Sequence, residues 1–140
     1  MAQTEKAEKA FQKNLSALDG IFDFIHMFVK NNHIDEKFCF PIDLAIEELF
    51  TNMIKYNRDS QQDITLSLHR IGNRLIVSLT DQDSEAFDIT KTGDVNVTKA
   101  LADRKIGGLG IHLVKQMVDD IAYEYSGRQS KIILTKNLEN

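Results

Sequence analysis

Glu48 and Asn52 stand four residues apart in Leu44-Ala45-Ile46-Glu47-Glu48-Leu49-Phe50-Thr51-Asn52, a spacing that puts both on one face of a helix. A carboxylate there can take a proton, and a carboxamide oxygen can hold a hard cation. Ile46, Leu49, Phe50 and Met53 surround them, so the two polar groups border an apolar stripe. In isolation the pair also reads as a solvated polar face, which is how the adjacent Glu47 is read. A second feature is Gly107-Gly108-Leu109-Gly110. Bare backbone at the start of a helix lets N–H groups approach an anion, and the helix N-terminus favours negative charge. Lys99, Arg104 and Lys105 lie just upstream and Lys115 just inside. The structural alternative is a glycine-rich turn acting as a hinge. No Gly-x-x-x-x-Gly-Lys-[Ser/Thr] occurs, so this is not a P-loop, and the full Gly-x-Gly-x-x-Gly of dinucleotide folds is absent. The third feature, Asp81, ends a strand, where it can accept a hydrogen bond from an exocyclic amine or serve a turn. Together these are the parts of a purine-triphosphate site: an amine acceptor, a base beside a cation ligand, and a phosphate cradle.

The surrounding pattern supplies elements to position them. The opening residues, to about position 12, fit a helix or a ragged edge strand or tail. From Ser16, which can cap a helix, Leu18, Ile21, Phe22, Phe24, Ile25, Phe28 and Val29 recur at helical spacing. Gly20 weakens that helix slightly, and Asn31-Asn32-His33 ends it. A second helix starts at Asp35 or near Pro41, carries Ile42, Ala45, Ile46, Leu49, Phe50, Met53 and Ile54 on one stripe, and stops near Asn57-Arg58-Asp59-Ser60. Ile64, Leu66 and Leu68, then Leu75, Val77 and Leu79, alternate with polar residues around Gly72-Asn73, which reads as an antiparallel hairpin. A long polar segment from Asp81 to about Ile106 has the length of a functional loop. A third helix through Ile111, Val114, Met117 and Val118 and a second hairpin, Ile121 to Tyr125 and Ile132 to Thr135, close the chain. This order predicts a mainly antiparallel sheet with helices layered on one face.

Composition narrows the function classes. The 140 residues suit one domain, 1–140, that folds without a disulfide or metal. Lys and Arg total 17 against 21 Asp and Glu, a formal charge of −4, which argues against non-specific nucleic-acid binding and a polybasic membrane contact. Cys39 is the single cysteine; between Phe38 and Phe40 it reads as a small buried hydrophobe. No run approaches the ~18 apolar residues of a membrane span, and the charged N-terminus is unlike a signal peptide. The expected compartment is the cytoplasm.

At these residues the sequence resembles the GHKL ATPase superfamily, and within it the anti-sigma-factor serine/threonine kinases of bacterial partner-switching systems. The likeness runs from about Ser16 to Lys136. It is strongest in Leu44–Asn52 and in Gly107-Gly108-Leu109-Gly110-Ile111-His112-Leu113-Val114-Lys115. The resemblance implies an α+β fold, a two-layer sandwich with a mainly antiparallel mixed sheet and helices on one face. It implies ATP and magnesium as cofactors, with Glu48 as general base, Asn52 as the magnesium ligand and Asp81 accepting from the adenine amino group. Gly107, Gly108, Leu109 and Gly110 would approach the phosphates. Thr90 to Ile106 would form a lid with Arg104 and Lys105 at its phosphate end, and Thr135 would lie near adenine. The implied partners are an anti-sigma-factor antagonist domain, a sigma factor and a second copy of the chain. Two positions depart from the family pattern: Asp83 stands where a glycine follows the aspartate, and Tyr56 where His or Lys is common. Asp83 adds negative charge near a polyanion and motivates a second reading, a nucleotide-sensing module that sequesters a partner without catalysis. A sensor histidine kinase fragment fits less well, because His26 sits among Phe24, Ile25, Met27 and Phe28.

Overall fold

The computed structural model describes residues 4–56, 62–82 and 108–139. Among these residues five strands form one sheet in the order β1-β2-β3-β5-β4: β1 Thr4–Phe11, β2 Ile64–Ile71, β3 Arg74–Asp81, β4 Asp120–Ser126 and β5 Gln129–Asn137. Every described pairing is antiparallel. The opening residues are therefore an edge strand. Their polar sequence carries no strong strand signal of its own; they pair along the whole of β2, from Thr4 opposite Ile71 to Phe11 opposite Ile64.

Register explains the core. Leu66 faces Leu79 and Leu68 faces Val77 across β2 and β3, while Ile132 and Leu134 of β5 meet Leu79 and Val77 from the other side. These residues share one face because side chains alternate along a strand, and all are essentially inaccessible to solvent. Each such Leu or Ile contributes about 1.5–3 kcal/mol when taken out of water. The helices α1 Leu18–Asn31, α2 Cys39–Tyr56 and α3 Gly108–Met117 join the sheet in a single hydrophobic cluster. Helix α2 is the hub of this layer, packing on α1, β3 and α3.

Helix ends differ in detail from the pattern reading. Ser16 does not cap α1. The chain is already wound into a 3-10 turn at Leu15–Ala17, so Ala17 precedes α1 with helical dihedrals and no side-chain cap bond; the Ser16 hydroxyl instead bonds the Asn14 carboxamide oxygen. Helix α1 stops as expected, because His33 adopts φ 57°. The Ile34 amide then donates to Val29 at 2.9 Å and the His33 amide to Lys30 at 3.2 Å, a paired closure of the last turn. Asp35 caps a 3-10 turn, Glu36–Phe38, by accepting from the Lys37 amide at 2.9 Å. That turn runs straight into α2, and Pro41 falls in its first turn, where no intrahelical donor is lost. A Cβ at Gly20 would come into van der Waals contact with the Phe11 ring, 3.4 Å away, and that ring itself meets Phe24 edge-on at 6.1 Å.

Candidate functional site

Helix α2 turns its apolar stripe into the core, with Ala45, Ile46, Leu49 and Phe50 fully buried. This fixes the rotation of the helix and so places the polar pair. Asn52 is only 1% exposed. Its Nδ2 donates to the backbone oxygen of Glu48 at 2.8 Å, which pins the carboxamide and turns Oδ1 away from the helix backbone. Glu48 is half-buried, and its Oε2 is a buried oxygen with no hydrogen-bond partner among the described residues. Burial, and then the charge of Glu47, push the Glu48 carboxyl above its ordinary pKa, with Lys55 opposing. A carboxylate raised in this way and without a partner is a stronger proton acceptor than a solvated one. The solvated-face reading of Glu48 and Asn52 does not match this burial.

Asp81 ends β3 on the sheet face that carries Val77 and Leu79, the same face on which α2 packs. Its side chain is 2% exposed and forms an ion pair with Lys13, whose side chain is 4% exposed. The Lys13 Nζ donates to Oδ1 at 2.9 Å and to Oδ2 at 3.0 Å. Sequence reasoning missed Lys13, which lies 68 residues away in a connector with no local pattern pointing at β3.

Gly108, Leu109 and Gly110 form the first turn of α3, which packs against α2. Helix α2 thus packs on both β3 of the sheet and α3 beside it. Thr135 is not brought to Asp81. It pairs with Ile76, whereas the residue opposite Asp81 on β5 is Ser130, five positions earlier and about 17 Å away at ~3.3 Å per residue. Thr135 also falls on the opposite side of the pleat from Leu134. Ser130 is 7% exposed, and its Oγ lies 3.2 Å from the Tyr123 hydroxyl. Strand alternation alone could not have revealed this, because the pairing register of β3 with β5 decides it. Arg104, Lys105, Gly107, Asp83, Lys99 and the segment Thr90 to Ile106 lie outside the described residues, as does the loop at Asn57–Ser60.

The remaining chemical candidates lie elsewhere. His26 is on the surface, its side chain 50% exposed, with Nε2 2.5 Å from Asp43 Oδ2. Cys39 is half-buried, and its thiol is pushed up by burial and then by Asp43 and Glu36, consistent with an unreactive packing role. Both border a cavity of about 530 Å³ between α1 and the start of α2, together with Val29, Lys30, Ile34 and Glu36. Among the described residues no group of three or more His, Cys, Asp or Glu could hold a metal, and no helix is long and apolar enough to cross a membrane.

This arrangement has relatives. Among curated proteins, the serine-protein kinase RsbW of Halalkalibacterium halodurans is 30% identical over 84 residues, covering 57% of this chain and 51% of that protein. The serine-protein kinase RsbW of Listeria innocua is 28% identical over 99 residues, covering 66% and 62%. The chain thus spans between half and two thirds of the length of the curated relatives it matches. Among solved structures, the RsbU and RsbW domains of a Mycobacterium tuberculosis protein align with TM-score 0.69 at 12% identity, over 96% of this chain and 32% of that one. The SiaB–SiaC complex of Pseudomonas aeruginosa aligns with TM-score 0.63 at 12% identity, over 93% and 87%. The Acinetobacter baumannii histidine kinase AdeS gives 0.55 at 12%, over 96% and 68%. At that identity the three structures speak for the fold alone, and the fold they share is the α+β arrangement described above. The family model of the histidine kinase-like ATPase domain matches residues 11–136, which takes in β2 to β4, nearly all of β5, the helices α1, α2 and α3 and only the last residue of β1, and the chain belongs to that family.

Proposed function

We propose that this chain is an ATP-dependent serine/threonine-protein kinase of a partner-switching system. Its substrate would be a Ser or Thr of an anti-sigma-factor antagonist domain, with a sigma factor and a second copy of the chain as further partners. The observation that carries this reading is the buried Oε2 of Glu48, without a hydrogen-bond partner among the described residues, one turn from the pinned carboxamide of Asn52. Glu48 takes the proton of the attacking hydroxyl. Its raised pKa and missing partner leave it both basic and available. Asn52 offers a neutral, hard oxygen donor, and one such protein ligand suits magnesium, which takes most of its other ligands from substrate phosphates and water. When bound, the metal supplies charge neutralisation at the phosphates. Asp81 accepts from the base amino group. The amides of Gly108, Leu109 and Gly110, in the first turn of α3, favour the phosphates; Gly107, Arg104 and Lys105, which lie outside the described residues, would add to them as the resemblance implies. Phosphoryl transfer depends mainly on positioning and electrostatics, and groups of these types would supply both.

The names of the two curated relatives support the kinase reading. The SiaB–SiaC complex, in which a chain of this fold is joined to another protein, supports a protein partner. A second reading, a nucleotide-sensing module that binds a partner without transferring phosphate, is favoured by the Lys13 ammonium covering Asp81. Incubation with γ-labelled ATP, magnesium and a candidate antagonist domain separates the two. Label on a Ser or Thr of the partner supports the kinase; a stable complex that stays unlabelled supports the module.

A further inference from the structure

We infer that Lys13 is an internal competitor for the base-recognising carboxylate, so that an adenine nucleotide engages Asp81 only by displacing the Lys13 ammonium. This deepens the proposed nucleotide site and rests on it. The Lys13 Nζ reaches both oxygens of Asp81, at 2.9 and 3.0 Å, and both side chains are almost wholly buried. An exocyclic amine must donate to that same carboxylate, and an ammonium is much the stronger donor because its bonds are charge-assisted. Lys13 is also held in place locally. It is the middle residue of a tight turn in which the Asn14 amide donates to the Gln12 oxygen at 2.8 Å, directly after β1 and directly before the 3-10 turn that starts α1. Displacing the ammonium therefore perturbs the β1–α1 connection, and nucleotide occupancy is linked to the conformation of that connection. The competition also selects by base. A base with a carbonyl in place of the amine can accept from Lys13 with the ion pair intact, whereas adenine cannot.

The test uses the full chain and two nucleotides, ATP and inosine triphosphate, by calorimetric titration of the native protein and of Lys13→Met. The expected result is that Lys13→Met binds ATP more tightly by about tenfold, within the range of coupled equilibria, and does not gain affinity for inosine triphosphate. Equal or weaker ATP binding by the folded variant overturns the inference. Because loss of Lys13 leaves a buried carboxylate and could unfold the chain, a second measurement needs no variant. The native protein is treated with an amine-acetylating reagent, and modification of Lys13 is read by mass spectrometry. ATP at saturation is expected to increase that modification; protection, or no change, overturns the inference. If the native protein shows no heat with ATP at millimolar levels and neither does the folded variant, the nucleotide site itself fails and this inference fails with it. ATP binding that is indifferent to Lys13 removes only the competitor.

Discussion

Replacing Glu48 by Gln should lower phosphoryl transfer by about 10²–10⁴-fold, the usual contribution of a positioned general base. That corresponds to about 3–5 kcal/mol on the barrier. The substitution is nearly isosteric, and the Asn52 anchor survives it because Asn52 bonds the Glu48 backbone oxygen rather than its carboxylate. ATP affinity should therefore stay close to native. The same change should raise the stability of the fold near neutral pH. Burial lifts the Glu48 carboxyl above its ordinary pKa, with Glu47 adding to the effect. Between the unfolded and folded values the native chain holds more protons than the unfolded chain, so stability falls as pH rises through that window. Gln does not ionise and escapes this loss. Activity should show the complementary signature, with native transfer declining in acid at a pH above the titration of a free Glu. Single-turnover transfer to the antagonist domain and urea unfolding on either side of the window give both readouts. A folded Glu48→Gln protein that phosphorylates its partner at the native rate would refute the reasoning.

Other substitutions probe separate parts of the molecule. Asn52→Ala should abolish the difference in nucleotide affinity with and without magnesium, seen by titration under both conditions, and should cost about 0.5–1.5 kcal/mol for the lost bond to Glu48. Leu66→Ala, in the centre of the sheet with no solvent exposure, should destabilise the chain by about 2–5 kcal/mol in urea at an unchanged slope. Gly72→Ala tests backbone strain alone. Its φ is +59° and an added Cβ would meet nothing within 4 Å, so the whole cost, about 1–2 kcal/mol in a thermal melt, is the left-handed conformation.

Among the described residues, the helices α1 to α3, the hairpins β2–β3 and β4–β5 and the layered antiparallel arrangement were legible because their signals are local. The i, i+3, i+4 recurrence through Ile21, Ile25 and Phe28 marks a buried helix face. Alternation through Ile64, Leu66 and Leu68 marks a half-buried strand, and the turn glycines Gly72 and Gly127 both take positive φ. Glu48 and Asn52 were visible as a pair because four residues of helix bring any two side chains together. Their burial was visible only as neighbours on the stripe.

What the chain order could not determine is whatever depends on partners distant in sequence. The first strand has little strand character of its own and exists because β2 presents an open edge to Thr4–Phe11. Ser130 rather than Thr135 stands opposite Asp81 because register between β3 and β5 shifts a residue's neighbours without altering either strand's pattern. Lys13 reaches Asp81 only once the sheet and its first connector are assembled. A periodic pattern records which face a residue turns inward. Packing alone settles what it meets there, because that choice is made by the whole molecule at once.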